Sequence, residues 1–198
     1  MAPNLILITG LPASGKSSFA EYASRELSLP VIGKDDIKEH LFDTVGFRSY
    51  EEKTQLDIAS ANIMMYTAAR ILSCGESVIL DNNFEDRNLP NLEKLVKDHT
   101  CNVITVRFKG DVGVIYKRFL ARESSPSRHL GHKILNCYPP VPGKEETFQS
   151  MTQEQFTTKY KKRGIFDFAM GTVIDVDVTD FSKVSYPDII SRLKSLMV

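Results

Sequence analysis

An excess of charge of either sign is missing from this chain: 25 Lys and Arg offset 25 Asp and Glu over 198 residues. Strong non-specific attraction to nucleic acid or anionic lipid across the whole surface is thereby excluded, and only a local basic patch remains open. Long hydrophobic runs are missing too; none approaches the ~20 residues that span a bilayer. The first residues, Met1-Ala2-Pro3-Asn4, hold no basic n-region, and the apolar stretch from Leu5 to Ile8 is too short for a signal peptide. Cysteine is scarce. Cys74, Cys101 and Cys137 are widely spaced and form neither a disulfide framework nor a CxxC pair, so the expected compartment is the reducing cytoplasm, with no membrane partner. Internal repeats and low-complexity tracts are absent as well, which predicts one continuous domain over residues 1–198.

What is present is the ordinary balance of a globular protein, 42% hydrophobic and 25% charged. Asn4 to Thr9 (NLILIT) is an aliphatic run suited to a strand buried on both faces. A helix should follow over Lys16–Leu27, where Phe19, Ala23 and Leu27 repeat every four residues. Pro30 to Ile32 reads as a second strand, and Asp35 or Asp36 as the cap of a helix towards Phe42. Further helices are expected over Tyr50–Ser73 (ended by Gly75), Glu85–Lys97, Val112–Glu123, Gln153–Lys162 and Pro187–Met197. Strands are expected over Ser77–Asp81, Cys101–Phe108 and Thr172–Val178. Between Ser124 and Gly143 four prolines interrupt the rhythm, which marks a loop or lid; a recognition segment is placed at about 122–150. The alternation predicts an α/β fold with a parallel sheet, helices on both faces and ligands at the carboxyl ends of the strands.

Gly10-Leu11-Pro12-Ala13-Ser14-Gly15-Lys16-Ser17 matches GxxxxGK[ST] in full. The glycines let the backbone turn its amides onto phosphate oxygens, and the next helix aims its N-terminus at the same anion. Lys16 can reach the β- and γ-phosphates and the Ser17 hydroxyl can ligate Mg²⁺. Gly10 to Ser17, with Ser18 next to them, form the expected contact surface for ATP.

A guanine-reading NKxD is absent, and Asp43-Thr44-Val45-Gly46 has no strand before it, so a GTPase switch is disfavoured. No ABC-type signature follows the loop. Polar residues at the strand ends favour phosphoryl transfer to an acceptor. Asp35 could take a proton from an attacking hydroxyl, or merely cap its helix. Asp81, at the end of VILD, could reach Mg²⁺ through water or hydrogen-bond the acceptor; Asn82 and Asn83 behind it are also turn formers. Arg122 falls within or beside the apolar stripe of Ile115 and Phe119, and an inward guanidinium requires an anion. Arg118 lies one turn earlier.

Together these motifs resemble the P-loop kinases that include polynucleotide 5′-hydroxyl kinases, chloramphenicol phosphotransferases and zeta-toxin-type kinases, within the AAA-type ATP-binding domains. The polynucleotide kinase pattern GxPxSGKS is read here as GLPASGKS. Its basic-Asp-Asp-x-Arg motif corresponds to Lys34-Asp35-Asp36-Ile37-Lys38, its Asp-x-Asn to Asp81-Asn82-Asn83, and its paired lid arginines to Arg118 and Arg122. The resemblance implies a strand order of 2-3-1-4-5, Asp35 as general base, and Asp81 beside the acceptor. It also implies Arg122 on the donor phosphates and the loop near Asp177 to Thr179 against adenine. Lys38 stands where the family has an arginine, so bidentate reading of a substrate phosphate is lost there, and a nucleic-acid end is possible but not favoured.

Two weaker signals remain. His129, His132 and Cys137 could hold zinc, but fit no standard spacing; a segment presenting Arg128 and His129 to the acceptor is preferred. Lys159 to Arg163 (KYKKR) reads as a solvated helix end rather than a nucleic-acid track. The expected activity is transfer of a γ-phosphate from ATP, with Mg²⁺, to an unidentified hydroxyl of a small molecule, nucleotide or polynucleotide end. An ATP-binding regulatory module without an acceptor is the alternative.

Overall fold

A computed structural model of the chain describes residues 2–147, 149 and 151–197. Strands β1 (Asn4–Gly10), β2 (Val31–Gly33), β3 (Val78–Asp81), β4 (Asn102–Lys109) and β5 (Thr172–Asp177) form one all-parallel sheet in the order β2-β3-β1-β4-β5. This is the order implied by the resemblance. The helices are α1 (Lys16–Leu27), α2 (Lys34–Thr44), α3 (Tyr50–Ser73), α4 (Leu89–His99), α5 (Val112–Ser124), α6 (Leu130–Lys133), α7 (Gln153–Lys162) and α8 (Tyr186–Leu196).

Alternation along β1 decides the layers, because successive strand side chains point to opposite faces. Ile6 and Ile8 pack with Phe19 and Ala23 of α1, Ile115 of α5, Phe156 of α7 and Leu193 of α8. Leu5 and Leu7 face the other way, onto Met64, Ala68 and Leu72 of α3 and Leu92 of α4. Helices thus cover both faces, and all seven β1 residues are buried.

Register then gathers the strand ends. Asp81 pairs with Ile8 of β1 on one side and with Gly33 of β2 on the other. The last residue of β3 therefore lies between the start of the phosphate loop and the start of α2.

Two expectations are corrected, and a third segment gains detail. Neither Asp35 nor Asp36 caps α2: its N-cap is Gly33, since β2 runs straight into the helix, and both carboxylates occupy the first turn. The span Glu85–Lys97 is a 3₁₀ turn (Asp86–Asn88) followed by α4, with Pro90 in the helix's first turn, where its missing N–H costs nothing. The proline-interrupted stretch contains the short helix α6 and is fastened to α2.

That fastening is a small third core. Phe42, Phe47, Ile134 and Cys137 are buried together, with Leu56 and Tyr138 against them. Phe47 and Tyr138 exchange backbone hydrogen bonds at 2.9 and 2.8 Å. Lys53 of α3 donates to the carbonyls of His132 (3.3 Å) and Ile134, and its ammonium is pushed down to about 8, by burial first and by Lys38 and Arg128 next. Phe42→Ala should cost about 3–5 kcal/mol, as for a fully buried aromatic. Urea denaturation of the variant measures this, with loss of the 130–138 docking visible as faster hydrogen exchange.

Candidate active site

The phosphate loop follows from two backbone constraints. Gly10 has φ +143°, and a Cβ there would lie 2.3 Å from the Phe108 carbonyl oxygen, so only glycine lets β1 turn away from β4. Gly15 caps α1 in the left-handed region at φ 86°, turning the chain so that α1 begins at Lys16. Lys16 is buried and its Nζ rests 3.3 Å from the Leu11 carbonyl. Burial depresses its ammonium; Asp81 and Asp35 pull it back up, while Arg122 and Arg128 push it further down. An anion placed here would relieve that depression.

A cleft of about 740 Å³ opens beside the loop at the carboxyl ends of the strands, bounded by Pro12, α2, α3, the segment after β3, α5 and α7. Asp35, Lys38, Asn82 and Arg122 all line it. Asp35 forms a 2.8 Å ion pair with Lys38. Burial pushes the Asp35 carboxyl up, but Lys38, His132 and Lys34 outweigh it and hold the group well below the usual carboxylate range. Asp81 is buried; burial raises its carboxyl, opposed by Lys16 and by a hydrogen bond with Ser17. Ser17 and Ser18 are exposed at the start of α1.

Among the described residues, buried side-chain polar atoms lacking a hydrogen-bond partner are Asn83 Oδ1, Arg122 Nε and Arg128 Nε on residues that line the cleft, Ser14 Oγ in the phosphate loop, and Thr9 Oγ1 and Asp81 Oδ1 near the ends of β1 and β3. Arg128 Nε is 3.3 Å from Glu123, an ion-pair distance with poor hydrogen-bond alignment. Leaving such groups unmet costs about 1–3 kcal/mol each. Donors from Ser14 and two arginines, plus a carboxylate oxygen beside Ser17, fit a magnesium-bound polyphosphate. ATP with Mg²⁺ is thus compatible with the residues present.

Other predicted residues lie elsewhere. Arg118 does not line the main cleft; it donates to the carbonyls of Val178 and Thr179 (3.0 Å for the latter) and stacks on Phe181 at 3.7 Å. Phe181 in turn covers Gly15. Arg118 therefore braces the loop after β5 against the phosphate loop. His129 is turned away from the cleft: its Nε2 meets Asp43 at 3.0 Å and its Nδ1 accepts from the Gly131 amide, because both are needed to cap α6 on α2. His132, not His129, faces the cleft, 2.7 Å from Glu39. Cys137 belongs to the third core. Among the described residues no group of three or more His, Cys, Asp or Glu is arranged to hold a metal ion.

The basic run at the end of α7 is divided between solvent and the cleft. Lys159, Lys161 and Lys162 are exposed, as a solvated helix end requires, whereas Tyr160 is buried and Lys159, Tyr160 and the half-buried Arg163 also line the cleft. Phe156 and Tyr160, four apart, marked the inward face, and Lys159 and Arg163 flank it. Asp57 was missed altogether. It sits mid-α3 and joins Lys34 (2.6 Å) and Lys38 (3.2 Å), so an ionic chain Lys34–Asp57–Lys38–Asp35 spans two helices. No local pattern in the sequence distinguishes Asp57 from an ordinary helix-surface acid. Glu85, buried and paired with Arg163, was read only as a helix start.

Residues 5–135 match the AAA domain family, and the chain belongs to it. It is similar to the L-seryl-tRNA(Sec) kinase of Methanococcus maripaludis, 27% identical over 195 residues, covering 96% of this chain and 64% of that protein. A shikimate kinase of Paracidovorax citrulli is 33% identical over 86 residues, covering 38% of this chain and 45% of the relative. The chain thus spans less than two thirds of the length of these relatives. Among solved structures, a kinase candidate from Chloroflexus aurantiacus superposes with a TM-score of 0.83 at 24% identity, over 100% of both chains. The APS kinase CysC of Mycobacterium tuberculosis does so with a TM-score of 0.57 at 14% identity, over 98% of this chain and 97% of its own. At these identities the structural likenesses bear on the fold alone. Among the described residues no helix is long and apolar enough to cross a membrane.

Proposed function

We propose that this chain is an ATP-dependent kinase that transfers the γ-phosphate to a hydroxyl of an acceptor, within one domain covering the whole chain. The observation that carries the reading is the set of unmet buried donors and acceptors in the phosphate loop, near the ends of β1 and β3 and on Asn83, Arg122 and Arg128 of the cleft that Asp35 also lines. The kinases to which the chain is similar support it. The finer likeness to polynucleotide 5′-hydroxyl kinases rests on the motifs alone.

Gly10 to Ser18 wrap the triphosphate, with Lys16 bridging its outer phosphates and Arg122 and Arg128 balancing charge on the transferring group. Ser17 and Asp81 are the residues that would hold Mg²⁺, which when bound neutralises charge on the β- and γ-phosphate oxygens. Arg118 acts on the adenine side by bracing the loop after β5. Asp35 accepts a hydrogen bond from the acceptor hydroxyl. It takes that proton as the acceptor oxygen bonds to the γ-phosphorus and the bond to the β,γ-bridging oxygen breaks. Its depressed carboxyl makes it a weak base, which suits a loose transition state in which the hydroxyl loses its proton late. Lys38, Asn82 and Asp81 border the acceptor, and Asp57 positions Lys38. The segment at about 122–150 serves as the lid and substrate-recognition segment.

The test is incubation with ATP, Mg²⁺ and a broad panel of hydroxyl compounds, read as a mass gain of one phosphoryl group. Release of free phosphate alone across the panel would overturn the kinase reading in favour of a nucleotide-hydrolysing regulatory module. Asp57→Asn should then slow transfer by about 10²-fold, since small displacements of reacting groups carry penalties of that size. Nucleotide affinity, measured by calorimetry, should hardly change.

A further inference from the structure

The charges lining the cleft are not evenly matched, and the imbalance is local. Lys34 and Lys38 are met by Asp35 and Asp57. Arg122 and Arg128 share Glu123, each at 3.3 Å, beside the phosphate loop. On the opposite wall, formed by the segment after β3 and the end of α7, two arginines share one carboxylate. Glu85 Oε1 accepts from Arg87 Nε and, at 3.0 Å, from Arg163 Nη2, while Oε2 accepts from Arg163 Nε. The Glu85 side chain is 5% exposed and that of Arg87 is 64% exposed. One buried anion thus anchors two guanidinium groups on a wall that also carries Lys159, Asn88 and Asn91, while the Asp86 carboxylate lies against Gly164 and does not line the cleft.

Two guanidinium groups pinned by a shared buried carboxylate lose little freedom on binding, and each presents a planar fork matched to an oxyanion. This wall is reached from the same cavity as Asp35, but by α7 and the 3₁₀ turn rather than by the phosphate loop. Building on the kinase reading, we propose that the acceptor is a small hydroxyl compound that itself carries an oxyanion, a phosphate monoester or a carboxylate, seated on Arg87 and Arg163 while its hydroxyl lies at Asp35. Lys38 is engaged by Asp35 and Asp57, so the fork lost at that position is supplied from the opposite wall.

The probes are inorganic phosphate and lactate, titrated by calorimetry into protein saturated with Mg²⁺ and a non-hydrolysable ATP analogue, and into the Lys16→Ala variant without nucleotide. Binding of either anion is expected, weakened tenfold or more by Arg87→Gln, whose exposed side chain can be changed without loss of folding, and similarly by Arg163→Gln. Tighter binding of phosphate assigns a phosphate monoester, and tighter binding of lactate a carboxylate. In transfer assays on matched sets (glycerol, glycerol 3-phosphate, glycerate; glucose, glucose 6-phosphate, gluconate), the anionic members should be preferred. Arg87→Gln should raise their KM with little change in kcat. Absence of anion binding in both backgrounds, affinity unaffected by either arginine variant, or equal use of the neutral members overturns the proposal. Failure of the ATP analogue to bind, with anion binding intact in Lys16→Ala, would sink the donor-site reading and leave the arginine wall standing.

Discussion

Asp35→Asn should lower phosphoryl transfer by about 10²- to 10⁴-fold while leaving ATP affinity nearly unchanged. Asparagine keeps the size of the side chain and can still accept one hydrogen bond, but it cannot take the acceptor proton. It also ends the 2.8 Å ion pair with Lys38, whose ammonium then turns to Asp57 alone. Stopped-flow or quench measurement of a single turnover separates this loss from slow product release. The pH profile provides a second reading. Because Lys38, His132 and Lys34 overcome the effect of burial and keep Asp35 ionised, titration of Asp35 should produce no acid limb in kcat/KM between about pH 8 and pH 5. The sign for stability is the same: a carboxyl depressed in the folded state contributes fully above its ordinary value of 3.8 and loses that contribution only as pH falls further. An acid limb near neutrality that disappears in Asp35→Asn would contradict the assigned ionisation.

Arg122→Gln should cost about 10³- to 10⁵-fold in kcat, the range for arginines that balance a transferring phosphoryl group. The guanidinium is only partly engaged, with Nη2 3.3 Å from Glu123 and Nε unmet, which leaves it free to meet the phosphate chain in the mechanism proposed above. Arg122→Lys should recover only part of the loss, because an ammonium restores charge without the planar fork. Binding of ADP with aluminium fluoride offers a direct check: affinity for this transition-state mimic should fall far more than affinity for ADP. Equal losses for both ligands would reduce Arg122 to a ground-state contact.

Much of the architecture was readable where a signal is local. The bounds of α1, α3 and α7 follow from apolar spacing, the left-handed glycine before α1 and the glycine after α3, and all three agree with expectation. The phosphate loop is equally legible, since its glycines answer to backbone geometry alone. What escaped notice depends on distant partners. The role of Glu85 is set by Arg163, which is 78 residues away, and Asp57 matters only because α3 packs against α2. The capping expectation at Asp35 and Asp36 failed for a related reason. Pairing of β2 with β3 carries Gly33 to the helix start and displaces the carboxylates into its first turn.

The aromatic fastening of residues 130–138 onto α2 carries a kinetic consequence. Arg128 stands two residues before that anchor and Asp35 stands on the helix that receives it, so a shift of one drags the other. Donor and acceptor should consequently show substrate synergism: saturation with one lowers the dissociation constant of its co-substrate, and by thermodynamic reciprocity the factor is identical in the reverse direction.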